Sequence, residues 1–212
     1  MPRISVAAAT AELADRDPVI AKLVGIAGPA KLKRRGNERR DPFGALARSI
    51  AYQQLAGKAA AAIHGRFEAL FAGHPTPEAV LAIPEEQLRG AGLSAAKTAS
   101  ILDLASKVES GLVPLDGIDK LSDDEIVERL SSVRGIGRWT AEMFLIFQLG
   151  RLDVWPVDDL GVRAGYAAAY RLKDMPKPKE LAAFGEAYRP YRSIAAWYMW
   201  QAIHLFRSGE LP

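Results

Sequence analysis

Apolar residues in this chain recur mainly three and four positions apart, and that spacing predicts helices. In "DPFGALARSIAYQQL" (41–55), Asp41 reads as an N-cap and Pro42 as the first helical residue, with Phe43, Leu46, Ala47 and Ile50 on one face. Ile63, Phe67, Leu70 and Phe71 mark a second helix, stopped near Gly73. Thr76-Pro77 and Ile83-Pro84 open two short ones. Ser94 caps a stripe of Ile101, Leu104, Ala105 and Val108 that ends at Gly111. Ser122 with Glu125 three residues later is a capping box. Further helices are predicted from Arg138 to Gly150 and over 160–170, 178–188 and 193–206. The first forty residues also read as helical. The total is roughly ten helices with no strand hairpin, so the predicted class is all-α.

Two stretches interrupt the pattern. "AKLKRRGNERR" (30–40) is a charged linker with a glycine inside, and "RLKDMPKPKE" (171–180) is rich in proline and lysine. There is no internal repeat. The 212 residues are 49% hydrophobic and 25% charged, enough for one large domain or two small ones. The absence of cysteine excludes disulfides and cysteine-ligated zinc or iron–sulfur centres. The longest apolar run, Met143 to Phe147, is far too short to span a bilayer, and no signal peptide is expected. A cytoplasmic location is therefore expected. The net charge of +3 is only mildly basic. His64, His74 and His204 lie far apart with no ligand-spaced partners, so no catalytic metal is expected.

The sharpest local feature is Gly135-Ile136-Gly137, set between the helix ending at Ser132 and the helix beginning at Arg138. The glycines allow a tight turn and leave backbone N–H groups uncovered at a helix start, where an anion is favoured. A DNA phosphate fits that description, and so does an ordinary helical hairpin glycine-turned for close packing. Ile136 is expected to point inward and staple the two helices.

The longer stretch "GIGRWTAEMFLIFQLGRLDVWPVDDLGVRAGY" resembles the helix-hairpin-helix DNA glycosylases, in which such a hairpin is followed by a Gly/Pro-rich loop and an essential aspartate. The matching residues are Gly135, Gly137, Gly150, Pro156 and Asp159, with Asp159 standing 22 residues beyond Gly137. "IAYQQLAGKAAAAI" resembles the family's DNA wedge region, and "LRGAGLSAAKTASILDLA" its central helices. "YRPYRSIAAWYMWQ" is similar to the terminal helix of the 3-methyladenine DNA glycosylase II branch. The likeness extends over roughly residues 40 to 207.

The resemblance implies two helical lobes with a DNA cleft between them. One would run over 40–150 and end in the helix-hairpin-helix (122–149). The other would combine 1–39 with 151–212. An N-terminal β-domain carried by larger members is expected to be missing. The resemblance makes Asp159 catalytic, although Asp158 and Asp159 are both also candidate helix caps. It makes Leu55 the wedge that fills the gap left by an extruded base, with Gln53 and Gln54 beside it. Trp139 and Trp200 would line the base pocket, where indole faces attract a cationic purine with about 0.5 to 2 kcal/mol per contact. Phe43 and Met143 are further pocket candidates, Phe43 serving equally as core. Met143 stands where some relatives carry an aromatic residue. Trp155, Trp197, Tyr191 and Tyr198 are either additional pocket residues or packing. Gly135, Ile136, Gly137, Arg138, Thr140, Lys58 and Arg192 are candidate phosphate contacts.

Relatives that also cut the backbone hold a lysine at the position of Trp139, where it forms a Schiff base. Its absence implies a monofunctional enzyme that uses water. The implied activity is hydrolytic removal of alkylated purines from duplex DNA by a monomer in base excision repair. No cofactor is implied beyond a monovalent cation at the hairpin. The alternative is a non-catalytic protein that uses the same hairpin to bind damaged or abasic DNA.

Overall fold

The computed structural model describes residues 4–32 and 41–210, and these contain helices, turns and no strand. Most of the charged linker 30–40 lies outside the described residues. Among the described residues are twelve α-helices: α1 (Val6–Arg16), α2 (Pro18–Ala27), α3 (Pro42–Tyr52), α4 (Gly57–Ala69), α5 (Pro77–Ala82) and α6 (Glu85–Gly90). The chain continues through α7 (Ala95–Glu109), α8 (Asp123–Ser131), α9 (Arg138–Met143), α10 (Leu160–Ala169), α11 (Pro178–Gly185) and α12 (Arg192–Ser208). No helix is long and apolar enough to cross a membrane.

Caps explain most of the boundaries. The Asp41 carboxylate accepts from the Gly44 N–H at 2.7 Å, and Pro42 occupies the first turn of α3. Ser94 caps α7, and the Ser122/Glu125 box is complete at the start of α8. Asp17 caps α2, its Oδ1 accepting from the Val19 and Ile20 N–H groups.

Two elements differ from their predicted form. The helix from Arg138 keeps α geometry only to Met143 and passes into a π-helical turn, Phe144–Gln148. A π turn sets one extra residue into the spiral and re-aims the side chains that follow. The helix predicted over 178–188 ends at Gly185 and finishes as a 3₁₀ turn, Glu186–Tyr188.

The chain divides into two compact units. One comprises Asn37–Phe144, and the other joins Met1–Gly36 to Leu145–Pro212. The passage from one to the other thus falls inside the helix, ahead of Gly150. In the first unit α7 is central and packs on α3, α5 and α6, while α8 packs on α9. Ile50, Phe67, Leu88, Ile101, Leu104, Ile126 and Leu130 form its core and are fully buried. In the second unit α12 is central and lies against α10, α2 and α1. Gly165 makes the α10–α12 contact possible, since a Cβ there would stand 1.8 Å from the Met199 carbonyl oxygen. The proline- and lysine-rich stretch is part of this unit, pinned by a bond from Arg163 Nε to the Pro176 carbonyl at 2.9 Å.

The second unit also holds a polar knot. The Tyr170 hydroxyl donates to Asp17 Oδ2 at 2.5 Å and lies 2.6 Å from the Tyr188 hydroxyl. The Tyr166 ring stacks on Tyr170 and on Phe184. Burial, reinforced for Tyr170 by the neighbouring Asp17 carboxylate, pushes the Tyr170 and Tyr188 phenols far above their ordinary pKa.

Candidate active site and nucleic-acid contacts

Val154, Trp155 and Pro156 lead into α10 as a buried strap. Ser193 anchors it, its hydroxyl accepting from the Val154 N–H at 2.9 Å. The strap delivers two adjacent aspartates to different surroundings: Asp158 is exposed and Asp159 is only 8% accessible. Asp159 is the residue that caps α10, with Oδ1 accepting from the Val162 N–H at 2.8 Å. The same oxygen accepts from Trp200 Nε1 at 2.9 Å, across 41 residues of sequence. Two donors on one carboxylate oxygen fix its direction.

Gly161 leaves room for this pair. A Cβ there would meet Trp200 Cδ1 at 2.9 Å and Asp159 Oδ1 at 3.1 Å. Trp200 is half-buried, and the exposed Phe147 ring stacks on it at 5.7 Å between centroids. Phe147 was not anticipated: in a regular helix it is one more residue of a greasy run, and the π turn is what presents it to Trp200.

The other tryptophans and tyrosines separate clearly. Trp155 is packed inside, its N–H donating to the Leu181 carbonyl at 2.8 Å and Gly185 lying flat against its ring. Trp197, Tyr191 and Tyr198 are buried as well, and the Tyr198 hydroxyl donates to the Gly28 carbonyl at 3.0 Å. These four are packing residues. Arg192 is turned on Asp153 through two guanidinium contacts of 2.7 and 3.0 Å. It therefore braces the start of α12 and does not present a free cation to a phosphate.

In the other unit, Gly135 takes a left-handed φ of 77°, and a Cβ there would strike Ser100 Oγ at 2.6 Å. Gly137 caps α9 in extended conformation, and Ile136 is buried as the inward staple. Arg138 is exposed and pairs with the buried Glu142 at 3.0 Å, and Thr140 is buried. Trp139 is 46% accessible in the first turn of α9, whereas Met143 is half-buried. Phe43 is 3% accessible and belongs to the core of its unit, for it lies on the same α3 face as Leu46 and Ile50.

The segment after α3 is sharply bent. Gln53 ends the helix, Gln54 takes a left-handed φ of 56°, and Leu55 follows with its side chain exposed. Lys58 lies exposed in the first turn of α4. Gln53 Nε2 donates to the Gly135 carbonyl at 2.8 Å, so the bend and the glycine hairpin touch.

A helix-hairpin-helix turn followed by a buried, indole-bound aspartate on the next helix cap defines an all-α DNA-repair architecture. Residues 47–190 match the model of the HhH-GPD superfamily base excision DNA repair protein, and the chain belongs to this family. It is 41% identical over 189 residues to DNA-3-methyladenine glycosylase 1 of Schizosaccharomyces pombe, covering 88% of this chain and 81% of that protein. A solved complex of the 3-methyladenine DNA glycosylase of that organism with abasic DNA superposes with a TM-score of 0.80 at 40% identity. It covers 91% of this chain and 95% of that one. A crystal structure of DNA-3-methyladenine glycosidase from Bacillus halodurans gives a TM-score of 0.84 at 35% identity, covering 98% and 95%.

Proposed function

We propose that this protein is a monofunctional DNA glycosylase that releases alkylated purines of the 3-methyladenine and 7-methylguanine type from duplex DNA. The observation that carries the reading is the Asp159 carboxylate, nearly buried and held in place by the Trp200 indole and the first turn of α10. Its relatives' names, and a neighbour bound to abasic DNA, support the same reading.

In the proposed reaction a water oxygen bonds to C1′ of the extruded nucleoside. The C1′–N bond breaks with its electron pair passing to the cationic purine, which leaves neutral. Asp159 faces the positive charge that develops on the sugar and takes the proton the water loses. A purine that already carries positive charge is a good leaving group, so no separate proton donor is required. Trp200, one face covered by Phe147, supplies aromatic surface for such a base. With tryptophan and no lysine at position 139, the enzyme leaves the backbone intact. Leu55, with Gln54 beside it, fills the emptied position in the stack. Gly135, Gly137, Arg138 and Lys58 hold the strand through phosphates, which positions the protein without reading sequence. The reading implies residence with the genome, which in a bacterium is the nucleoid within the cytoplasm.

Incubation with duplex DNA containing N-methylpurines, with free-base detection, tests this. Base release with strand breaks appearing only after alkali supports it. Tight binding to abasic DNA with no base released from any lesion overturns it in favour of a damage-binding protein.

A further inference from the structure

One face of α7 reaches both DNA-facing features of its unit. Lys97 Nζ donates to the Ala51 carbonyl at 2.7 Å, at the end of α3 just before the bend. Two turns further on, the Asp103 carboxylate accepts from the Arg134 N–H at 2.7 Å and from Lys107 Nζ at 2.8 Å. Lys107 also donates to the Ser132 carbonyl at 2.6 Å. Burial works to raise the Asp103 pKa, but the bonds from Lys107 and the Arg134 N–H outweigh it and hold the carboxyl below its ordinary value. Ser100 lies between them, against Gly135. Residues 97, 100, 103 and 107 are spaced by three and four, so they share one stripe of the helix.

That stripe holds the two ends of a short path. From Ala51 the chain runs into Gln53, and from Arg134 into Gly135. The Gln53 amide joins them by donating to the Gly135 carbonyl. An amide so engaged is not directed at a nucleotide opposite a gap. It fixes the turn in which Gln54 is left-handed and Leu55 exposed.

We infer that Gln53 is a positioning residue: from the α7 stripe it ties the Leu55 turn to the glycine hairpin, so that gripping the strand and wedging the stack occur in one fixed register. The inference rests on the proposed reading of Leu55 as the wedge and adds a residue that acts through it.

A double-mutant cycle tests it. Wild type, Gln53→Ala, Leu55→Ala and the double variant are mixed with duplex DNA carrying 2-aminopurine beside 7-methylguanine. Stopped-flow fluorescence reads base extrusion, single-turnover base release reads the chemical step, and circular dichroism verifies folding. Gln53→Ala is expected to slow extrusion about tenfold, as Leu55→Ala does, and the double variant to be no slower than Leu55→Ala alone. Gln53→Glu, which keeps the shape but turns an acceptor toward the Gly135 carbonyl, is expected to match Gln53→Ala. Losses that multiply in the double variant, or a Gln53→Ala extrusion rate within twofold of wild type while Leu55→Ala is slow, overturn the inference alone. A Leu55→Ala protein that extrudes like wild type overturns the wedge reading, and this inference falls with it.

Discussion

Asp159 and Trp200 meet through a single hydrogen bond of 2.9 Å, and the oxygen that receives it also caps α10. In the proposed mechanism chemistry and scaffold therefore share one atom, and substitution can separate them.

Asp159→Asn keeps an oxygen for both donors but removes the charge. Single-turnover release of 7-methylguanine is expected to fall at least about a hundredfold, in line with the loss of an electrostatic stabiliser. The melting midpoint should stay close to wild type. Asp159→Ala loses the cap as well and is expected to cost about 1 kcal/mol in denaturant unfolding. Full activity in the asparagine variant would remove Asp159 from the proposed mechanism.

Two glycines on α10 give opposite outcomes. Gly161→Ala places a methyl group against the Trp200 indole and the Asp159 carboxylate, and is expected to reduce base release with little change in stability. Gly165→Ala drives its methyl into the Met199 backbone, which cannot swing aside as a side chain can. A loss of about 1–3 kcal/mol or more is expected on urea unfolding. If Gly161→Ala were the more destabilising of the two, the packing described for α10 and α12 would be wrong.

Asp17 performs two jobs with its two oxygens, capping α2 and accepting from Tyr170. Asp17→Ala removes the cap and one of the two hydrogen-bond partners of the half-buried Tyr170 hydroxyl, a combined cost of about 1–3 kcal/mol. Asp17→Asn keeps the cap acceptor and should lose less. Equilibrium denaturation of the two variants measures the difference.

The tyrosine knot predicts an alkaline limit. In the folded chain Tyr170 and Tyr188 titrate far above their ordinary pKa of about 10, which they regain on unfolding. A raised folded pKa contributes stability that is fully present below the unfolded value and is lost as pH rises toward the folded one. Unfolding free energy should therefore be insensitive to these groups below about pH 10 and decline above it. A Tyr188→Phe variant should show a shallower alkaline decline, measured by urea unfolding across pH 9–11.

Much of the fold is legible in the sequence because caps are local. Asp41-Pro42, Ser94 and Ser122-x-x-Glu125 each mark a helix start within four residues. The aspartate is legible through its spacing from the hairpin, though local chemistry alone divides the capping role equally between Asp158 and Asp159. What stays hidden depends on partners distant in the chain. Arg192 reads as a surface cation until Asp153, 39 residues away, is found beside it. Phe147 reads only as the end of an apolar run until a π turn, which has no periodicity of its own, is found there and its ring is seen stacked on Trp200. Gln53 reads as a wedge neighbour, and its amide is in fact engaged 82 residues further on.

The unit that carries Asp159 is assembled from both ends of the polypeptide. The family match, by contrast, spans only 47–190. A fragment trimmed to that span would discard α1, α2 and all of α12, and with them Asp17 and Trp200. Such a piece would keep Asp159 yet lose its indole partner and the helix against which α10 packs. The compact unit around Asp159 is thus larger than the part of it that the family match spans.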